Sequence, residues 1–110
     1  MPGYFLLQRG ATGKFSFDLK GGNHETLLSS VPYQSKDAAV DGVAAVQRHA
    51  AEDARFERIK AGNGPAYFLL KACNAEVIGR SVMYSSPSAM EHGIASVKAY
   101  GGATEVRDLA

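Results

Sequence analysis

The chain has 110 residues, 45% of them hydrophobic, with one cysteine and no tryptophan. That length suits one domain burying roughly 60–70% of the surface its unfolded form exposes, and a single Cys73 excludes an intrachain disulfide, which points to a reducing compartment with the cytoplasm as the expected location. Twelve basic and eleven acidic side chains leave a formal charge of +1, spread in both signs, so there is no electrostatic footprint for nucleic acid or an anionic membrane.

The first stretch, Met1 to Leu7, is apolar for a few residues and is stopped by Gln8-Arg9. It lacks a basic leader and is too short for a signal peptide or a membrane span, so a strand is expected. Gly13 marks a turn. Phe15, Phe17 and Leu19 then alternate with Ser16, Asp18 and Lys20, the period of a strand with one face on a core. Gly22-Asn23 separates it from a short third strand, Thr26 to Ser30, and Asn tolerates the left-handed conformation that hairpin turns demand. The period next changes to that of a helix: Ala39, Val43, Val46 and Ala50 share one face, Ser35 stands at the N-cap, and Asp37 lies near the positive end. A helix over 36–49 is expected, followed by a strand from Arg55 to Lys60.

The same sequence of events recurs. The segment Gly62-Asn63-Gly64 reads as a hairpin turn, because it leads into a strand and not into a helix that could cradle phosphate. Phe68 and Leu70 continue the alternating pattern, Cys73-Asn74 is the turn, and Val77 to Ser81 is the short strand. Ser86 and Pro87 open a helix over 87–100 with Met90, Ile94 and Val97 on one face, and Gly101-Gly102 ends it before a strand from Thr104 to Asp108. Mid-helix glycine costs roughly 0.5–1 kcal/mol against alanine. Gly42 and Gly93 both carry that cost, which close helix-to-sheet packing would explain.

The recurrence has a fixed offset of 51, at which Lys20-Gly21-Gly22-Asn23-His24-Glu25 falls on Lys71-Ala72-Cys73-Asn74-Ala75-Glu76. Phe5 falls on Phe56, Phe17 on Phe68, Ser30 on Ser81, Tyr33 on Tyr84 and Ser35 on Ser86. The expectation is a tandem duplication, copies of about 1–51 and 52–110 within one domain. The motif F-x-F-x-L-K-x-x-N-x-E, then Y-x-S, then a helix with G-[VI]-x-x-V covers Phe15 to Glu25, Tyr33 to Ser35 and Gly42 to Val46. It runs again from Phe68 to Val97, with Ala66 in place of Phe15. On these residues the chain resembles the YegP-like family of small bacterial proteins over essentially its whole length. The resemblance implies an α+β fold: two tandem β-β-β-α-β repeats forming one antiparallel sheet, with two helices on one face, pseudo-twofold symmetry and C-terminal strands exchanged between the halves. It implies no activity, cofactor or catalytic residue.

The polar set that recurs, Lys20, Asn23, Glu25 and Tyr33 with Lys71, Asn74, Glu76 and Tyr84, is a candidate ligand or partner site that a symmetric fold would present twice. Each member also has a structural account: Lys and Glu can pair across the hairpin, Asn fits the turn, and Tyr can cover the core edge. His24, His49 and His92 align with Ala75, Tyr100 and Asp41, and with one cysteine they lack metal-ligand spacing. No catalytic residue, metal or cofactor is assigned. One asymmetry stands out: on the sheet face opposite the helices the first copy carries Ser16 and Asp18 where the second carries Tyr67 and Leu69, with Tyr4 and Leu6 expected to join them. An apolar, tyrosine-bearing patch marks a partner surface.

Three functional classes follow: a non-enzymatic binding or accessory module for a protein or small ligand, a small enzyme using the Lys/Glu/Tyr set, and a nucleic-acid binder acting through the sheet, which the near-neutral charge disfavours. The first leads, as a monomer or weak homodimer without a membrane partner.

Overall fold

In the computed structural model, residues 3–62 and 64–110 are described; Met1, Pro2 and the turn residue Asn63 lie outside them. In chain order the elements are β1 (Tyr4–Arg9), β2 (Phe15–Lys20), β3 (Thr26–Ser30), α1 (Lys36–His49), a short 3-10 turn (Asp53–Arg55), β4 (Phe56–Lys60), β5 (Ala66–Lys71), β6 (Val77–Arg80), α2 (Pro87–Tyr100) and β7 (Val106–Asp108). The strands form one seven-stranded sheet in the order β4-β5-β6-β3-β2-β1-β7. Each half is therefore an antiparallel meander, and the two meet at a central β3–β6 seam, where Ser29 pairs with Arg80 and Ser30 with Gly79.

Strand alternation sets the core. Phe5, Leu7, Phe17, Leu19, Phe68 and Leu70 point to one face and are at most 1% exposed. There they meet Ala39, Val43 and Val46 of α1 and Met90, Ile94 and Val97 of α2 in a single cluster. Both helices span the residues their periodicity predicts. Ser35 and Ser86 cap them, accepting hydrogen bonds from the backbone N–H groups of Ala38 (3.1 Å) and Ala89 (3.2 Å). Pro87 occupies the first turn of α2, and α2 ends at Gly101 in a right-handed conformation.

The glycines at mid-helix also find their reason. A Cβ on Gly42 would sit 2.5 Å from the Tyr33 hydroxyl, and one on Gly93 would overlap the hydroxyl of Tyr84. Each tyrosine ring lies flat over a core phenylalanine, Tyr33 on Phe17 and Tyr84 on Phe68, with centroids 6.3 Å apart in both cases. Helix backbone and tyrosine thus share a space that no side chain on the helix can enter. Ser30 and Ser81 are equally matched: each hydroxyl accepts from the N–H of that same phenylalanine and donates to the next residue's carbonyl.

Two expectations change. The sheet is not wholly antiparallel, because β7 pairs parallel to β1, with Phe5 opposite Val106 and Leu7 opposite Asp108. The chain reaches β7 through α2, which carries it from β6 to the far edge; β6, β3, β2 and β1 alternate in direction, so β7, running opposite to β6, lies parallel to β1. The exchange of a C-terminal strand is real in this sense: β7 follows the second helix yet completes the first meander. The left-handed residues of the β2–β3 and β5–β6 turns are His24 (φ 64°) and Ala75 (φ 70°), and not Asn23 and Asn74. In both turns the N–H of the left-handed residue bonds back three positions, to Gly21 or Ala72, which places the asparagine one step earlier. In the β1–β2 and β4–β5 turns the positive φ is taken by Gly13 and Gly62.

Candidate functional site

The recurring polar residues are divided by strand alternation. Lys20 and Lys71 point away from the helices, where Lys20 donates to the Thr26 hydroxyl and Lys71 pairs with Glu57. Neither lysine joins the glutamate across its own hairpin, so the expected Lys–Glu turn pair does not form. Asn74 accepts from the Glu76 N–H (3.1 Å), a turn-stabilising bond, and Asn23 is exposed in the equivalent turn.

Glutamates and tyrosines come together across the seam. Tyr84 of the second half feels the charge of Glu25 from the first, and Tyr33 feels Glu76. Burial, followed by the facing carboxylate, raises both phenols above their ordinary range. Glu25 and Tyr84 line an open cleft of about 370 Å³ beside α2, together with Thr26, His92 and Ser96. His92 does not belong to the recurring set; Asp41 takes its position in the first half, so identity between the halves could not have revealed it. The cleft holds polar groups but no lysine, so the recurring Lys/Glu/Tyr set is not brought together there.

The opposite face carries the contrast between Ser16/Asp18 and Tyr67/Leu69. Cross-strand register places Glu57, Leu69, Arg80, Ser29, Asp18, Leu6 and Arg107 in one row across all seven strands. Tyr67 and Leu69 are half-buried. Tyr67 stands opposite Ile59 on β4, and the Arg80 guanidinium lies 5.9 Å from its ring centroid. Leu69 and Arg80 line a groove of about 450 Å³ at the seam with Val31, Pro32, Val77 and Val82. A smaller depression on the other side of Arg80 is walled by Tyr67 and the 64%-exposed Met83.

Tyr4 and Leu6 do not join this patch. They lie on β1, four strands from β5, and Tyr4 is covered there: its hydroxyl bonds His24 Nδ1 (2.9 Å) and the Arg107 guanidinium sits 3.8 Å over its ring. Arg80, Ile59 and Val77 are the members of the surface that alternation alone did not single out. Their signal was the same offset that picked out Tyr67, since they stand where the first half has Ser29, Gln8 and Thr26.

The two outer edges also differ. Beside β1 the chain's own β7 is seated, with the Phe5 N–H donating to the Glu105 carbonyl and Lys36 clamping Asp108 at 2.5 Å. Beside β4 no strand is seated among the described residues, and Arg58 replaces the buried Leu7. Arg58 binds Glu91 through two nitrogens and Asp53 through one, while Lys98 reaches the same Asp53 oxygen (2.7 Å). The two cations lower the Asp53 carboxyl to about 2. Charges of this kind blunt an open edge against further strand pairing.

Among the described residues no group of three or more His, Cys, Asp or Glu is arranged to hold a metal ion, and no helix is long and apolar enough to cross a membrane. The free Cys73 is exposed in the β5–β6 turn. Comparison with known proteins gives one consistent result. The model of the domain of unknown function DUF1508 matches twice, over residues 11–57 and 59–108. The UPF0339 protein YegP of Escherichia coli K12 is 44% identical over 108 residues, covering 98% of both chains. A UPF0339 protein of Bordetella pertussis is 45% identical over 108 residues, covering 98% of this chain and 96% of its own. The solution structure of E. coli yegP superposes with a TM-score of 0.92 over 99% of this chain and 94% of that one. A UPF0339 protein of Shewanella oneidensis, 40% identical and also solved in solution, gives the same score over 99% of this chain and 92% of its own.

Proposed function

The chain belongs to the DUF1508 family of YegP-like proteins, a family whose description assigns no function, and we propose from its surface that it is a non-enzymatic binding module. The working surface in this reading is the outer face of β4, β5 and β6. One observation carries it: residues at matching positions of the two halves are mostly alike where they face the helices, with exceptions such as Leu7/Arg58 and Phe15/Ala66, whereas four positions of the outer face change from polar to apolar. Gln8, Ser16, Asp18 and Thr26 of the first half form a polar surface with its own bonds, Gln8 to Asp18 and Thr26 to Lys20. Their counterparts Ile59, Tyr67, Leu69 and Val77 are apolar, and nothing in the fold requires them to be, because the core lies on the other face. An apolar cluster with an aromatic centre, polar groups at its rim and a groove beside it has the composition of a recognition surface.

The enzyme reading has less support, because the lysines it needs stand on the outer face while the glutamates and tyrosines stand beside the helices. The double match of the family model supports two tandem copies, about 1–51 and 52–110, in a single domain. A reducing, cytoplasmic setting fits the exposed and unpaired Cys73.

The test replaces Tyr67 and Leu69 together by Ser and measures recovery of bound material from cell extract. Recovery falls and the circular dichroism spectrum is unchanged, whereas a control variant of Ser16 and Asp18, both changed to Ala, retains recovery. Undiminished recovery with the Tyr67/Leu69 variant overturns the proposal.

A further inference from the structure

Resting on that reading of the outer face, we infer that the seam groove is a site for a small apolar monocarboxylate, anchored by Arg80. The groove is about 450 Å³, within the range of roughly 300–1,000 Å³ typical of small-molecule sites. Leu69, Val31, Pro32, Val77 and Val82 give it apolar walls, which select an apolar body, and the hydroxyls of Ser30 and Ser81, which also line it, are already bonded to backbone groups.

The charge selects the head group. Along the outer face, Lys71 is paired with Glu57, Lys20 with Thr26, Asp18 with Gln8, and Arg107 with Glu105. Among the described residues Arg80 alone of these has neither an ion pair nor a side-chain hydrogen bond. Its immediate neighbours in the row are Leu69 and Ser29, so the nearest acids along the row, Asp18 and Glu57, are two strands away, about 10 Å, and both are engaged. Tyr67 lies against the guanidinium and limits its freedom, which lowers the entropy lost when a ligand is bound. Ser29 is paired with Arg80 and lines the same groove, so its hydroxyl is a second donor on the groove wall.

One planar fork and one hydroxyl match the two oxygens of a carboxylate. A phosphate, with more charge and more acceptors, would leave most of them facing valine and proline. An amine would be repelled. The sign of the ligand is therefore fixed by Arg80, its size by the groove and its apolar body by the walls.

The experiment titrates the ¹⁵N-labelled full chain with 3-phenylpropanoate, with its primary amide and with 3-phenylpropylamine, following backbone amide shifts. The carboxylate should shift Ser29, Leu69, Val77 and Arg80 saturably, the amide more weakly and the amine not at all. Arg80→Gln should weaken carboxylate binding at least about tenfold while leaving the rest of the spectrum in place, and Arg80→Lys should keep part of the affinity. Equal binding of acid and amide, unchanged affinity in Arg80→Gln, or no seam shifts at the solubility limit would each overturn the inference. A hexapeptide with a free C-terminal Phe that binds more tightly than the small acid would overturn the small-molecule assignment. If the Tyr67/Leu69 variant loses its partner while the acid fails to bind, the carboxylate idea falls and the binding face stands; if the acid binds through Arg80 while that variant keeps its partner, the reverse holds.

Discussion

The two halves of the molecule match at most core positions on the helix side of the sheet and differ at most positions on the other. On the helix side Phe17 matches Phe68, Leu19 matches Leu70, and the tyrosine–glycine contact is repeated with the same 6.3 Å ring spacing. On the outer side Ser16 meets its counterpart in Tyr67, Asp18 in Leu69 and Ser29 in Arg80. The lesson is that recurrence in this chain marks what the fold requires, and departure from it marks where something else acts. Equal structural demand should show as equal loss. Phe17→Ala and Phe68→Ala should each destabilise by about 3–5 kcal/mol, read by urea unfolding, since both rings are fully buried against equivalent neighbours. A difference between them of more than about 2 kcal/mol, the spread of one substitution type among core sites, would break the equivalence.

A smaller effect sharpens the same comparison. In Gly42→Ala and Gly93→Ala the new methyl group meets a tyrosine hydroxyl, and forcing an atom into a filled site typically costs about 1–3 kcal/mol. The contact is tighter at Gly93 than at Gly42, so the second-half variant should melt at the lower temperature. Removal of the ring by Tyr84→Leu in the Gly93→Ala background should recover part of the loss. If Gly93→Ala melts with or above the parent, helix propensity has won and the packing account of this glycine fails.

How much of this was legible in the sequence follows from what each pattern encodes. A period of 3.6 with serine before it encodes a helix and its start, and both helices fall where Ser35, Ser86 and the Val and Ile spacing place them. A period of two encodes which face a residue takes, and it separated Tyr67 and Leu69 from Phe68 and Leu70. It does not encode which strand lies beside which. That is why Tyr4 and Leu6, on the same face as Tyr67, were expected in a patch that β6, β3 and β2 in fact hold them away from. Strand order also hid Arg80 and Ser29, since they become a pair only when the two halves meet at the seam. Likewise β7 is too short to signal its direction, which depends on where α2 delivers the chain. The glutamate–tyrosine pairs were half legible: their members recur, but each pair draws one residue from each half, so a search within one copy groups the wrong residues.

The smallest effect asks whether the two turns, alike in backbone, are alike in energy. His24 and Ala75 both hold the left-handed conformation, which costs a residue with a Cβ roughly 1–2 kcal/mol, and glycine avoids that cost while giving back roughly 0.5–1 kcal/mol in unfolded-chain entropy. Ala75 makes no side-chain contact that its replacement would lose. Ala75→Gly should therefore stabilise by up to about 1 kcal/mol, a rise of a few degrees in melting temperature at this size. His24 has an offsetting role: its ring accepts or donates the bond to Tyr4 and meets that ring edge-on at 5.7 Å, and a side-chain hydrogen bond contributes about 0.5–1.5 kcal/mol. His24→Gly should leave the melting temperature unchanged or slightly lowered. Equal gains at both turns would show that the Tyr4–His24 contact adds nothing, and that the first half, like the second, carries an unrelieved strain.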